Sequence, residues 1–383
     1  MTIDAQTNKI ILLINLKRGG DYLKKIAWLD TLRVAAAVLV IVVHFLMCDA
    51  FRGTYIGSVF SYDLGVVIIA VFLAVSGYLI PASLERAPNL FEFYWRKAVR
   101  IIVPFTVSYF VMTALAIIPA KLNDTFGAMV PLNVVRQGGK LSHMIYGMFP
   151  VDLNIVRFFG SDIYWFVGEW FMWVILWLYL VSPLLYKAAK KFPLQSLPAA
   201  IVVGCIVYYA TKPLELAGRI HGSDSIFIVR IIEFMMGMLL YMYRDKLMKV
   251  RFPLVLLFMG GLTLYTIYYV VSFDPANAPY FPINPTRYLI SLPMTYLLFV
   301  LAEIICSSRL KIIEWFNSFS GVSYLAMIVQ HVIIFFFADF VGFEGRSPLE
   351  LTLILLMIIV ITFKLAAQIK KLTDPIERAL TNI

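Results

Sequence analysis

Charge is what this 383-residue sequence has least of: Asp, Glu, Lys and Arg together make up 15% of it, where a soluble domain carries about 25%. With 61% hydrophobic residues and a mean hydropathy of +0.84, a soluble fold is excluded and an all-α polytopic membrane protein remains. Cysteine is scarce too. Cys48, Cys205 and Cys306 are an odd set with no C-x-x-C unit and no thiol–histidine spacing, which argues against a disulfide framework and a metal site. Cys205 and Cys306 fall inside apolar runs and read as small packing residues. No internal repeat and no appended soluble domain is visible. The net charge of +10 does not indicate nucleic acid, because cationic excess in a membrane chain collects in cytoplasmic loops and orients it.

What is present is a series of ten apolar runs, at about 27–47, 62–80, 100–119, 164–184, 197–211, 225–243, 252–272, 287–306, 319–340 and 350–369, each near the length that crosses a bilayer. The expected architecture is about ten transmembrane helices with both termini cytoplasmic. Under that topology the inner segments hold 22 of the 33 Lys and Arg residues, the outer segments nine, and Arg33 and Arg230 lie within spans. Residues 1–26, with only a seven-residue apolar run at Ile10–Leu16 and no small-residue cleavage site after it, read as a flexible or interfacial cytoplasmic tail rather than a signal peptide. The transmembrane domain covers 27–369, and 370–383 form a cytoplasmic C-terminal tail. The longest outer loop, about 120–163, carries Lys121, Asp124, Arg136, Lys140, His143, Asp152 and Arg157; loops of that length in compact proteins are often functional.

The first run places two basic groups inside a span, Arg33 and His44, eleven residues apart. Eleven residues make three helical turns, so the side chains share nearly one face, about 16 Å apart along the axis. An ionisable group at mid-span costs about 2.5–3.5 kcal/mol on insertion scales and rarely sits there without a partner or a function.

Other polar groups fall at related depths. Glu169 lies about one turn below the outer surface in the fourth run, Arg230 and Glu233 stand at i, i+3 in the sixth, and His331 lies near the middle of the ninth. Together with His44 they occupy the outer half, facing either one another or a water-filled cavity. The inner half gathers Asp30 and Arg33, and Arg96, Lys97 and Arg100 before the third span. Such cations either anchor the topology or hold phosphates. Likewise Arg230–Glu233 is either a structural pair or part of a site, His331 either a satisfied core histidine or a reactive one, and Glu169 either snorkels or works. His143 and His221 lie in outer loops and read as exposed.

Taken in order, these stretches resemble the acyltransferase-3 superfamily of integral membrane O-acyltransferases. Leu29-Asp30-Thr-Leu-Arg33 with His44 is similar to its arginine–ten residues–histidine motif. Phe72-Leu-Ala-Val-Ser76-Gly77-Tyr78 is similar to its second-span serine–glycine signature, and Arg96-Lys97-Ala-Val-Arg100-Ile-Ile-Val-Pro104 to its basic stretch. Arg230-Ile-Ile-Glu233-Phe234-Met-Met-Gly237 and Ser323-Tyr324…Gln330-His331 are similar to two later motifs. The matches run from about residue 28 to 335. Two positions differ: Lys97 stands where an R-x-x-R unit often begins, and Trp165-Phe-Val-Gly-Glu169 lacks the serine common before the acid.

The resemblance implies transfer of an acyl group, usually acetyl, from cytosolic acetyl-CoA to a hydroxyl of a cell-surface glycan or lipid-linked glycan, in a bacterial inner (plasma) membrane, with no metal and no nucleic-acid partner. A homo-oligomer is left open. It also implies roles. Arg33, Lys97 and Arg100 would neutralise the CoA phosphates. His44 would act as a general base or accept the acyl group, Glu169 or Glu233 would orient it, and Arg230 would stabilise charge on the thioester oxygen. An unperturbed imidazole titrates near ~6.5, which suits a base at neutral pH. The alternative is a polysaccharide or glycolipid exporter using the same residues as a path, against which the absence of related halves weighs.

Overall fold

A computed structural model describes residues 27–51, 54, 56–122, 153–158, 167–220, 222–271, 285–307 and 310–381. Among these every regular element is helical, as the composition requires, because backbone polar groups in a bilayer are satisfied within a helix. The main helices are α1 (Ala27–Leu46), α2 (Ser61–Arg86), α3 (Leu90–Leu122), the short α4 (Leu153–Phe158), α5 (Glu169–Lys191), α6 (Ser196–Leu216), α7 (Ile231–Lys249), α8 (Arg251–Val271), α9 (Pro285–Ser307), α10 (Lys311–Asn317), α11 (Ser323–Phe340) and α12 (Pro348–Thr381). The tail at 1–26, His221, and most of the outer loop, with His143 and Asp152, lie outside the described residues.

The described parts of all ten apolar runs lie mainly on helices, in keeping with an architecture of about ten spans. Among the described residues eight stretches are long and apolar enough to cross a membrane, and a ninth is formed if α7 and α8, bent by 103° at their junction, count as one. The reason is local: α7 has Glu233, Arg244, Asp245, Lys246 and Lys249 among its 19 residues, and charge at that density does not suit a free-standing span. At the other end, α12 runs unbroken through the boundary at 369 to Thr381, and Thr373 in that continuation is buried.

α2 is the centre of the bundle. Trp28 meets Tyr78 and Val43 meets Gly65, so α1 and α2 are antiparallel. Val66 packs with Val229, and Tyr78 with Tyr241, so α2 and α7 are parallel. The α2–α7 contact is backbone against backbone. A Cβ on Gly77 would lie 2.0 Å from the Phe234 carbonyl oxygen, and one on Gly237 would lie 1.9 Å from that of Ala74. Apolar burial discriminates poorly between helices in lipid, where tails are as apolar as leucine, so close approach at small residues supplies the dispersion contact that holds them.

Candidate functional site

These packing relations assign the polar residues to two ends of the bundle. At one end lie the start of α1, the ends of α2, α5 and α7, and the start of α3. At the far end lie the close of α1 and the starts of α2, α5 and α7.

At the first end α1 is pinned by its own polar groups. The Thr31 hydroxyl donates to Asn317 Oδ1 at 2.7 Å, and Asn317 Nδ2 donates to the Ala27 carbonyl at 3.1 Å. Arg33 pairs with Asp30 at 3.3 Å. On α3, Lys97 Nζ donates to Ser83 Oγ at 3.1 Å and stands 5.1 Å from the centroid of the Tyr179 ring. It is within electrostatic reach of Arg100, Arg33 and Arg86. So the three cations that the sequence singles out, Arg33, Lys97 and Arg100, gather in one place. A cavity of about 200 Å³ lies against Lys97, Arg100, Arg96 and Arg86. Arg96 pairs with Glu92, whereas Lys97 and Arg100 make no ion pair among the described residues. Glu377, on the continuation of α12, is within electrostatic reach of Arg100.

At the far end the structure joins two histidines. The rings of His44 on α1 and His331 on α11 are 4.0 Å apart, centroid to centroid, at an interplanar angle of 64°. Between them lies the amide of Gln330, whose Nε2 is 3.0 Å from His44 Nδ1 and 3.0 Å from His331 Nδ1. His44 Nδ1 is also 2.9 Å from the Val40 carbonyl oxygen.

That last contact fixes the chemistry. A carbonyl only accepts, so His44 Nδ1 carries the proton and Nε2 carries the lone pair. The Gln330 NH₂ can donate only to a ring nitrogen that holds a lone pair, so with the proton of His44 on Nδ1 its acceptor is His331 Nδ1. His44 then presents a basic Nε2, and His331 carries its ring proton on Nε2. Gln330 is fully buried, whereas both histidines are half-buried, so the amide is sealed and the rings keep an accessible face.

The other far-end residues surround this pair. A Cβ on Gly168 would lie 3.8 Å from Ile328 Cα, so Glu169 begins α5 within about one turn of Gln330 along α11. Gly168 takes the left-handed conformation, φ 53°, which glycine adopts without steric cost. The side chain of Glu169 lies outside the described residues.

Arg230 and Glu233 stand at the same level, across α2 from His44. Arg230 Nη1 donates to Glu233 Oε1 at 3.1 Å, and Arg230 Nε donates to the Asp224 carbonyl at 2.8 Å. Both side chains are about 1% exposed or less, and Glu233 Oε2 has no hydrogen-bond partner among the described residues. Arg230 and Glu233 contact each other, and Arg230 also contacts Asp224; His44 contacts Val40, Gln330 and His331. The signal for His331 and Gln330 was present in the sequence as adjacent polar residues in an apolar run; their distance in the chain hid the contact with α1.

Among the described residues, no three His, Cys, Asp or Glu side chains gather to hold a metal. A sequence model of the family described as "Acyltransferase domain", the acyltransferase-3 family, matches residues 26–367, nearly the whole chain. No curated protein and no solved structure matches it.

Proposed function

Because this chain belongs to the acyltransferase-3 family of membrane acyltransferases, we propose that it moves an acetyl group from cytosolic acetyl-CoA to a hydroxyl of a cell-surface glycan or glycolipid precursor, with the basic end facing the cytosol. The observation that carries this reading is the His44–Gln330–His331 arrangement: an imidazole with a free Nε2, beside a second ring, on an accessible face deep in an apolar bundle. A carrier of glycans needs no fixed tautomer, and a proton acceptor does.

The donor's diphosphate binds at Arg33, Lys97 and Arg100, and its pantetheine arm runs along α1 toward His44, about 16 Å further along the helix. His44 Nε2 takes the proton of the acceptor hydroxyl as the oxygen attacks the thioester carbonyl. The tetrahedral oxyanion collapses, the C–S bond breaks, and the thiolate recovers the proton from the imidazolium as free CoA. The alternative order has His44 Nε2 attack the thioester first; the C–S bond breaks, CoA leaves as its thiolate, and the acceptor oxygen opens the acyl-imidazolium, with His331 removing the acceptor's proton and returning it to the thiolate. In either order the Val40 carbonyl, which accepts from His44 Nδ1–H, stabilises the imidazolium that forms. Arg230, held by Glu233 and Asp224 across α2, is retained as the group that lowers the cost of charge at this depth.

The test is incubation of the purified protein with radiolabelled acetyl-CoA and membrane glycolipid. Label transfer or thioester hydrolysis that His44→Ala lowers by about 10²–10⁴, the usual worth of a positioned general base, supports the reading. Full activity in His44→Ala ends it, and movement of glycan across vesicles without thioester turnover supports an exporter.

A further inference from the structure

A second cavity lies at the basic end, on the other side of the last turns of α2 from the Lys97 cavity. Its volume is about 600 Å³, within the range of small-molecule sites. Its wall has two kinds of group. Tyr78, Tyr186, Tyr241 and Tyr243 bring aromatic rings, and Lys190, Arg244 and Lys246 bring positive charge. The two lysines are exposed at its mouth. Neither makes an ion pair among the described residues; each stands over a tyrosine, Lys190 at 5.9 Å from the Tyr186 centroid and Lys246 at 5.6 Å from that of Tyr243. Arg244 is different, being tied to Glu303. Two carboxylates are present, Glu85, which accepts from the Tyr186 hydroxyl at 2.5 Å, and Asp245, which stands 3.7 Å from Arg244 and is 88% exposed.

The backbone is shaped around the cavity. α7 is kinked at Tyr243, where φ is −118° and ψ 15°, with no proline or glycine near to cause it; sharp kinks otherwise have such a cause. The kink turns Tyr243 and the three charged residues after it to the cavity wall.

Aromatic faces beside uncommitted lysines recognise a base and its phosphates together, by stacking and by charge. From this we infer that the larger cavity seats the nucleotide end of the acyl donor, with the adenine against the tyrosines and the 3′-phosphate on Lys190 and Lys246. The inference rests on the acyl-CoA reading above. It divides the donor over the two sides of α2: the ribose phosphate falls to the 600 Å³ cavity, and the diphosphate, nearer the thioester, falls to Lys97 and Arg100.

The experiment uses the full chain in nanodiscs of phosphatidylcholine. Binding of CoA, adenosine 3′,5′-bisphosphate and inorganic phosphate is measured, and acetyl-CoA is compared with acetyl-pantetheine as donor. The bisphosphate is expected to compete with CoA. Lys190→Glu and Lys246→Glu should each weaken both ligands about ten-fold, Tyr243→Leu should do likewise, and the preference for acetyl-CoA over acetyl-pantetheine should fall by the same factor. Lys191→Glu, outside the cavity wall, should change neither. Unaltered CoA affinity in both lysine variants, with wild type binding CoA, overturns this inference and leaves the acyl-transfer reading standing. No CoA binding by the wild type overturns both. An equal loss with acetyl-pantetheine overturns it as a structural defect. Displacement of CoA by phosphatidylglycerol, with no competition from the bisphosphate, overturns it in favour of a lipid headgroup.

Discussion

The rings of His44 and His331 stand 4.0 Å apart with one amide serving both. This arrangement makes Gln330 a positioning residue, since it acts on the reaction only through the two imidazoles. Gln330→Leu removes the amide donor to His331 Nδ1 and leaves that ring nitrogen unpaired, at a cost of about 1–3 kcal/mol. If that cost falls on the transition state, it corresponds to roughly a ten- to hundred-fold loss of kcat. The change should appear in kcat with little change in KM for acetyl-CoA, and ¹⁵N NMR of labelled histidine should show mixed ring tautomers in place of one. Gln330→Asn, which keeps an amide donor on a shorter side chain, should recover part of the rate. A Gln330→Leu protein with wild-type kcat and a single tautomer would contradict the hydrogen-bond assignment.

The second histidine offers a separate check. His331→Asn retains a polar group of similar reach but no base. If His331 removes the acceptor proton, this variant should still form acyl-enzyme with labelled acetyl-CoA and should fail to pass it on, so that label accumulates on His44. If His44 is the direct base, no label accumulates and turnover falls only as far as the loss of a ring neighbour requires. Quench-flow with acid-trapped label separates the two.

The phosphate contacts predict a different signature. Lys97→Met and Arg100→Gln should each raise KM for acetyl-CoA about ten-fold, which corresponds to about 1.4 kcal/mol, and leave kcat close to wild type. Because the interaction is ionic and open to solvent, the wild-type KM should rise with salt and the variants' should rise less. Michaelis parameters at low and high ionic strength check this.

At Gly77 and Gly237 a side chain would collide with backbone, which cannot swing aside. Gly77→Ala or Gly237→Ala should therefore separate α2 from α7 and destabilise the bundle by about 1–3 kcal/mol or more. Thermal unfolding in detergent should show a lower midpoint for both. Gly260→Ala, where nothing lies within 4 Å of the added carbon, should show no shift.

The buried pair predicts non-additivity. Arg230→Met leaves Glu233 without its guanidinium, and breaking a buried ion pair from one side costs about 3–5 kcal/mol. Replacing both, as Arg230→Met with Glu233→Leu, removes the uncompensated charge and should restore stability while activity stays low. Expression level and thermal midpoint of the single and double variants, read with acyl transfer, distinguish a purely structural pair from one that also serves the reaction.

Helical class and the positions of the apolar runs could be read from hydropathy, because a bilayer leaves the backbone few other options. Arg33 and His44 on one stripe followed from the helical repeat. About ten spans were legible as well; the structure adds that α7, apolar in its first half and charged in its second, qualifies as a span only together with α8. Glu233 at i+3 from Arg230 was legible as a pair, and the structure keeps it as one.

The order of residues alone determined what each helix would carry: a guanidinium and an imidazole three turns apart, glycines where two backbones could meet, cations at the helix ends. What met what was left to tertiary structure. Gln330 stands beside His44 because α11 packs against α1 at that register, and Lys97, Arg33 and Arg100 share one mouth because α1 and α3 begin at the same end of the bundle. Helical periodicity acts over a few residues and is written locally. Contacts between distant helices depend on how every surface fits at once, and no stretch of sequence holds that information by itself.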